Sequence, residues 1–159
     1  MTRLSAAICG VGIVLLCSSV AIARSEVHGV QSAYDISIVG AASMYNPYRT
    51  GYREGGLETA SGERYDPSAW AAAIQSDLRE KFGGIRRGNK ASYALVESID
   101  KKVIIKINDI GPLKPGRIID FDERTMRYFD PTLQVGVVHN IKATPLSGDD
   151  WTPGPIAER

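Results

Sequence analysis

Hydrophobic and polar positions alternate most regularly across residues 101–108. There Val103, Ile105 and Ile107 occupy every second position, which is the period of a strand with one buried face. Shorter runs of strand-forming residues predict further strands at 36–45, 93–96, 117–121 and 133–143. The polar pair at 100–101 predicts a hairpin turn between two of these strands.

Helical periodicity is clearest at residues 66–82. Asp66 can cap the first turn and Pro67 suits the first helical position. Large apolar residues recur at every fourth position and would form one stripe: Trp70, Ile74, Leu78 and Phe82. Gly83 and Gly84 would end this helix. A second, brief helix is predicted at Glu123–Phe129.

Five or six short strands with two helices in their connections do not form the alternating pattern of a doubly wound sheet. The sequence therefore predicts a mainly-β fold, a small β-barrel decorated with one or two inserted helices. We expect the barrel at residues 36–145, after a flexible arm at 24–35. The proline- and glycine-rich segment 146–159 is predicted to be a flexible C-terminal tail.

Residues 1–23 have the pattern of a secretory signal peptide. Arg3 precedes an uncharged apolar run, and small residues at 21 and 23 form an A-x-A cleavage site. A membrane anchor is the alternative, because the run is about as long as the shortest spanning helix. Cys17 follows the bulky Leu16, which argues against lipoprotein anchoring. We therefore expect a periplasmic or secreted product with no membrane span in its mature part.

Composition excludes several classes of function. The 159 residues carry a net charge of +1, so the chain has no electrostatic footprint for nucleic acid. Both cysteines lie in the predicted signal peptide, which leaves neither a disulfide framework nor a thiol nucleophile. The two histidines, His28 and His139, are far apart in sequence and do not have the spacing of a zinc site. No metal and no cofactor are expected.

Carboxylates are the remaining candidates for chemistry, and Asp109 is the foremost of them. It ends an apolar strand and opens the turn sequence NDIGP. Partial burial at that position would raise its pKa, as a general acid near neutral pH requires. The alternative is an Asx turn in which Asp109 only binds the backbone of Gly111.

Asp120 and Glu63 are further candidate site residues, and each could instead have a purely structural role. Asp120 follows an apolar strand, and it could instead cap the next helix or be tied to backbone N–H groups. Glu63 lies in a polar loop, where it could be a solvated charge paired with Arg64. Aromatic side chains crowd the same part of the chain, as in sugar-binding grooves: Tyr45, Tyr48, Tyr52, Tyr65 and Trp70. For Trp70, core packing within the apolar stripe is the preferred interpretation.

Four blocks, in this order, resemble the rare lipoprotein A (RlpA) family. They are Gly40–Tyr45, TASGERYD at Thr59–Asp66, KINDIGP at Lys106–Pro112 and GRIID at Gly116–Asp120. The resemblance covers about residues 38–144. It implies a six-stranded double-psi β-barrel, similar to that of expansins and barwin-like proteins.

The resemblance also implies a lytic transglycosylase that cleaves the MurNAc–GlcNAc bond of peptidoglycan with the sugar's own C6 hydroxyl as nucleophile. The implied general acid and base is Asp109. Residues of the same blocks are the implied substrate-binding set: Tyr45, Ser61, Glu63, Tyr65, Asn108 and Asp120. The implied partners are peptidoglycan glycan strands, together with envelope or divisome proteins.

The chain departs from the family pattern at position 74, where Ile74 replaces the usual active-site histidine. The segment 78–88 is an insertion, and no peptidoglycan-binding repeat domain is expected after the barrel. Isoleucine cannot hydrogen-bond a substrate. The alternative function is therefore a non-catalytic barrel that binds cell-wall glycan, as expansin-like proteins do.

Overall fold

The computed structural model describes residues 36–50, 56–88 and 91–157. In these ranges the strands are β1 Ile38–Met44, β2 Ala71–Gln75, β3 Ser92–Glu97, β4 Lys102–Gly111, β5 Arg117–Phe121, β6 Val137–Leu146 and β7 Gly154–Pro155. The helices are α1 Pro47–Thr50, a 3₁₀ helix at Ser76–Phe82, and α2 Glu123–Phe129.

Six of the strands close into a barrel. Their order is β2-β5-β1-β6-β3-β4, and pairing of β2 with β4 joins the two ends. The β1–β5 and β2–β4 pairs are parallel, whereas the other pairs in the barrel are antiparallel. The predicted mainly-β fold and its six-stranded barrel are confirmed.

The barrel interior is the hydrophobic core, and β4 contributes most to it. Val103, Ile105 and Ile107 are completely buried there, which confirms the alternation in the sequence. Facing strands supply further fully buried side chains: Val96, Ile119, Phe121 and Ile141. Each large aliphatic side chain buried in this way contributes roughly 1.5–3 kcal/mol to folding. The strand ends beside this core are therefore held rigidly.

The predicted helix at 66–82 is wrong. Residues 71–75 form β2, which lies between β4 and β5, and only Ser76–Phe82 is helical, as a 3₁₀ helix. The apolar stripe does bury itself: Ile74 and Phe82 belong to the core, with Trp70 and Leu78 packed against it. Closing the barrel requires an extended strand between β4 and β5, and this tertiary pairing overrides the local helical pattern.

Other predicted elements are confirmed. The β3–β4 hairpin closes with Ser98 N–H donating to Lys101 O at 2.8 Å, and helix α2 spans the predicted residues. Asp122 has the extended backbone of an N-cap residue, but its side chain makes no capping hydrogen bond.

Part of the segment predicted as a flexible tail pairs with the barrel. In β7, Gly154 and Pro155 lie opposite Ile104 and Val103 of β4. Ile156 N–H then donates to the carbonyl of β4's first residue at 2.9 Å. The predicted signal peptide and arm at 1–35 lie outside the described residues. Within the part of the chain that is described, no helix is long and apolar enough to cross a membrane.

Candidate active site

Asp109 lies near the end of β4, where that strand runs parallel to β2. Its Oδ1 atom accepts a hydrogen bond from Ala60 N–H at 2.8 Å and another from Ile110 N–H at 2.9 Å. The Asx-turn alternative placed this bond at Gly111. The contact with Ala60 instead links the TASGERYD and KINDIGP blocks, which are 49 residues apart at this point.

The loop that presents Ala60 N–H is fixed by its own hydrogen bonds. Thr59 N–H donates to Glu63 O at 2.8 Å, so the loop closes on itself. Ser61 N–H donates to Asn108 O at 3.0 Å, which attaches the loop to β4 immediately before Asp109. The donor to the Asp109 carboxyl is therefore held by the same strand that carries that carboxyl.

The environment of Asp109 raises its pKa above the ordinary aspartate value. Burial is the main cause, because it penalises the charged form. The N–H groups of Ala60 and Ile110 oppose this effect but do not cancel it. At a given pH, Asp109 is therefore protonated more often than a solvated aspartate.

Asp120 lies on β5 and shares a neighbour with Asp109. Ala73 of β2 is opposite Asp109 on one side and opposite Asp120 on the other. The Ser43 hydroxyl of β1 donates to Asp120 Oδ1. The predicted alternative, in which Asp120 caps helix α2, does not apply, because Asp122 occupies the N-cap position.

Both carboxylates face one cavity of about 290 Å³. Its lining residues come from the ends of β1, β2, β4 and β5 and from the connection after β4: Tyr45, Ala73, Asp109, Ile110, Gly111, Pro112, Leu113, Lys114, Arg117 and Asp120. We call this space the Asp109 cavity. It combines a partly buried acid with an aromatic ring and two cations.

Of the sequence-predicted site residues, Tyr45, Asp109 and Asp120 line the Asp109 cavity. Glu63 is not among the lining residues. It forms an ion pair with Lys106 at 2.5 Å and accepts a hydrogen bond from Asn108 Nδ2 at 3.1 Å. Burial acts to raise the pKa of Glu63, but these two partners outweigh it and hold the pKa below its usual value.

Ser61, Asn108 and Tyr65 are buried and do not line the cavity either. The Ser61 hydroxyl lies 3.0 Å from that of Thr59. The Tyr65 hydroxyl donates to Tyr45 O at 2.8 Å, and the two rings pack edge to face with centroids 5.6 Å apart. These contacts brace the loop and the Tyr45 ring that border the site.

Sequence reasoning missed Lys114 and Arg117 as members of the cavity. Both lie in or next to the connection from β4 to β5, directly after the turn that Asp109 opens. The sequence feature that could have indicated them is the pair of basic residues in GPLKPGR, a few positions after the candidate acid. Nothing in the local pattern shows that this connection folds back over the strand ends.

Asp122 was also missed as a chemically unusual group. Only 5% of the residue is exposed, and its backbone N–H donates to Ala71 O at 3.0 Å. Burial, followed by the charges of Asp109 and Asp66, raises the pKa of Asp122 to about 8. A carboxyl that is neutral near pH 7 therefore lies close to the candidate acid.

The structure shows where the side chain at position 74 lies relative to the Asp109 cavity. Ile74 is fully buried in the hydrophobic core, and its neighbour Ala73 lines the cavity. The two side chains therefore point to opposite sides of β2, as in any strand. Ile74 itself does not enter the Asp109 cavity.

The described residues contain no group of three or more His, Cys, Asp or Glu side chains that could hold a metal ion. The groups available for chemistry in the Asp109 cavity are its carboxyls, its two cations and the Tyr45 ring. Such a set can transfer a proton and can bind hydroxyl and anionic groups.

Comparisons with known proteins bear on the family and the fold of the chain. A family model described as lytic transglycolase matches residues 37–140. The probable endolytic peptidoglycan transglycosylase RlpA of Nostoc sp. is 32% identical over 101 residues. That match covers 62% of this chain but only 23% of the relative's length.

Among solved structures, the Streptomyces papain inhibitor superposes with a TM-score of 0.54. The match covers 73% of this chain and 99% of the inhibitor, at 16% sequence identity. At that identity the similarity concerns the fold alone.

Proposed function

The chain belongs to the lytic transglycolase family of RlpA-like double-psi β-barrels, and on that basis we propose that it is a lytic transglycosylase of peptidoglycan. Asp109 is its general acid and base, and the bond cleaved is the MurNAc–GlcNAc linkage. The activity named for the Nostoc relative supports the substrate class.

The observation that carries the proposal is the state of Asp109. It is partly buried, borders a cavity, and is held by two backbone N–H donors, and among the described residues no cation forms an ion pair with it. Neutral donors position the carboxyl without favouring its charged form as strongly as a lysine would. A carboxyl in this state can be a proton donor near neutral pH.

A single acid is sufficient for the reaction. Protonated Asp109 donates to the glycosidic oxygen, and the bond between that oxygen and C1 of MurNAc breaks. The resulting carboxylate then accepts the proton of the C6 hydroxyl, whose oxygen forms the new bond to C1. The products are a GlcNAc end and a 1,6-anhydro-MurNAc end, and Asp109 is protonated again.

The other lining residues have binding roles in this proposal. The Tyr45 ring offers an apolar face to a sugar, and Asp120, held by the Ser43 hydroxyl, accepts hydrogen bonds from sugar hydroxyls. Where the stem peptide has been removed, the lactyl carboxylate of MurNAc is free, and Lys114 and Arg117 attract it. Glu63 supports the loop and does not transfer the proton.

This substrate requires an extracytoplasmic location. We therefore also propose that residues 1–23 are a signal peptide, and that export delivers the barrel to the cell wall.

The test is release of anhydro products from purified sacculi, preferably with the stem peptides removed. Asp109→Asn retains an oxygen that can accept from Ala60 and Ile110 N–H but removes the acid. Since general acid–base assistance is typically worth about 10²–10⁴-fold, the variant should fall to background. Asp77→Asn is the matched control, because Asp77 is exposed and lies outside the cavity.

Two results would contradict the assignment. Wild-type rates from Asp109→Asn would show that another residue is the acid. Absence of anhydro product from folded wild type would exclude the transglycosylase reaction.

The second candidate function is a glycan-binding barrel without catalysis. One observation favours it: position 74 holds a core isoleucine, and within the part of the chain that the structure describes no histidine lines the Asp109 cavity. Glycan binding by folded wild type without any anhydro product would select this function.

A further inference from the structure

A second cavity, of about 520 Å³, lies beside helix α2. The guanidinium groups of Arg49, Arg124 and Arg127 line it, together with the Glu123 carboxylate and the Tyr48 ring. Three cations and one carboxylate give this cavity a positive charge. The proposed proton transfer does not use it.

The carboxylate in the cavity beside helix α2 is shared and largely covered. Glu123 Oε1 accepts from Arg127 Nε at 3.0 Å and from its Nη2 at 2.7 Å, while Oε2 lies 3.5 Å from Arg49 Nε. The Glu123 side chain is 17% exposed, against 54% for Arg49 and 46% for Arg127. A ligand that enters this cavity therefore meets guanidinium groups first.

Arg124 is held in position by its own contacts. Its guanidinium lies 4.7 Å from the centre of the Trp70 ring, and Nη1 donates to Ser68 O at 2.9 Å. Because these contacts already order the Arg124 side chain, binding an anion costs less conformational entropy.

Aromatic rings connect the cavity beside helix α2 with the Asp109 cavity. Tyr48 lines the first cavity and Tyr45 lines the second. The Tyr65 ring packs against both, with its centroid 5.6 Å from that of Tyr45 and 5.9 Å from that of Tyr48. About half of Tyr48 is exposed, so its ring can stack on a sugar. Only two ring-to-ring steps separate Tyr45 from Tyr48, and a few sugars of a glycan strand can therefore span both cavities.

The cations of these two cavities form two clusters. Lys114 and Arg117 line the Asp109 cavity, and the three arginines line the other. A glycan strand whose stem peptides have been removed has a matching pattern, because every second sugar carries a free lactyl carboxylate and the sugar between them is neutral. Two cationic clusters connected by neutral aromatic rings complement the charges of such a strand.

We propose that the cavity beside helix α2 is a second anion subsite, which binds the free lactyl carboxylate of the next MurNAc along a strand whose first MurNAc occupies the Asp109 cavity. This inference rests on the proposed function for its ligand. Arginine is well suited to the task, because its planar guanidinium pairs with carboxylates through two parallel hydrogen bonds. The shortest repeat that fills both cavities is therefore a tetrasaccharide containing two MurNAc residues.

The first experiment measures the binding of two tetrasaccharides to the chain in the Asp109→Asn background, in which the ligand is not cleaved. One ligand is the stem-free repeat with its two lactyl carboxylates, and the other is chitotetraose, which contains only GlcNAc and has no carboxylate. Because exposed charge pairs contribute modestly to binding, adding Arg49→Gln/Arg124→Gln should weaken binding of the stem-free tetrasaccharide roughly three- to tenfold. Binding of chitotetraose should stay unchanged.

Two controls locate the effect. Lys142→Gln removes a half-exposed cation outside both cavities and should leave binding of both tetrasaccharides unchanged. The stem-free disaccharide GlcNAc–MurNAc has a single carboxylate for the Asp109 cavity, so the arginine double variant should bind it as tightly as the parent does. Arg49→Gln alone, which removes only an exposed ion pair, replaces the double variant if that variant has a lowered Tm.

The second experiment locates the bound carboxylate by NMR. Signals of the arginine Nε–H groups and of the Trp70 indole are followed while the stem-free tetrasaccharide is titrated into the Asp109→Asn chain. Saturable shifts are expected at Arg49 and Arg124. The same tetrasaccharide with its carboxylates converted to methyl amides should not shift these arginine signals.

The outcomes separate this inference from the proposed function. Equal weakening of both tetrasaccharides, or unchanged binding of the stem-free tetrasaccharide by the double variant, overturns the second subsite, while anhydro product from wild type still supports the transglycosylase proposal. Equal weakening of the disaccharide also overturns it, because one MurNAc would then contact both cavities. Carboxylate-dependent binding through Arg49 and Arg124 without anhydro product from wild type supports the subsite and contradicts the proposed reaction.

Discussion

The Asp109 cavity and the surface around Glu63 each contain a carboxylic acid beside strand β4. Asp109 lies on that strand, and Glu63 pairs with its residue Lys106. Asp109 is partly buried and accepts only backbone N–H donors among its identified hydrogen bonds. Glu63 is more exposed and is paired with the Lys106 ammonium group. Their pKa values shift in opposite directions for this reason. The kind of donor and the degree of burial, more than position along the strand, decide which acid can donate a proton.

The same difference gives the two regions opposite effects on stability. The raised pKa of Asp109 gives a contribution that is present below the unfolded-state pKa and is lost as pH rises through the folded pKa. The lowered pKa of Glu63 gives a contribution that is present above the unfolded-state pKa and is lost as pH falls. Measurements across pH can therefore test the two regions separately.

The largest expected effect that separates these regions is on the pH dependence of anhydro-product formation. Asp109 must be protonated to donate, so the rate should fall about tenfold per pH unit above its raised pKa. The same alkaline limb is expected for Glu63→Gln, because Glu63 lies outside the cavity. If the alkaline fall in rate moved by a full pH unit in Glu63→Gln, the two acids would act together. The separation of Asp109 from Glu63 would then be wrong.

Asp122→Asn should give the next largest effect, and it is on stability. The Asp122 pKa of about 8, against an ordinary value of 3.8, means that wild type loses stability as pH rises from about 4 to 8. Asparagine stays neutral and is an equally good N-cap residue. The variant should therefore be more stable by about 5 kcal/mol at pH 8, which is on the order of 20 °C in Tm.

Thermal unfolding of wild type and Asp122→Asn at pH 4, 6 and 8 measures this effect. The difference in Tm should be smallest at pH 4 and should grow with pH. A constant difference would mean that Asp122 does not titrate in this range, and that the buried region around Asp109 lacks the predicted neutral carboxyl.

The smallest expected effect is that of Glu63→Gln at neutral pH. Because an exposed ion pair is worth about 0–1 kcal/mol, the free energy of unfolding should fall by less than about 1 kcal/mol. The rate of anhydro-product formation should stay within about twofold of wild type, since the loop's backbone bonds to β4 remain. Urea unfolding and the sacculus assay measure both quantities, and a rate loss near that of Asp109→Asn would give Glu63 a direct role.

Sequence alone determined the elements whose local and tertiary preferences agree. Alternation in β4 reflects one buried face, so Val103, Ile105 and Ile107 could be assigned to the core directly. Strand β5 and helix α2 have the predicted bounds, because an apolar run marks the strand, and Asp122 and the Asp130–Pro131 pair flank the helix. The family blocks also made Asp109 the candidate acid, which stays a prediction, and the structure adds its link to Ala60.

Tertiary structure alone decided β2, the members of the Asp109 cavity and the cavity beside helix α2. The segment 71–75 is extended because a strand is needed to join β4 to β5, although its apolar spacing also suits a helix. Lys114 enters the site, and Glu63 stays outside it, through the path of loops that carry no periodic signal. Arg49 and Arg124 are 75 positions apart in sequence and line one cavity only after the barrel closes. Local patterns encode which face of an element is buried, whereas side chains from distant segments come together only when long-range strand pairing fixes their positions.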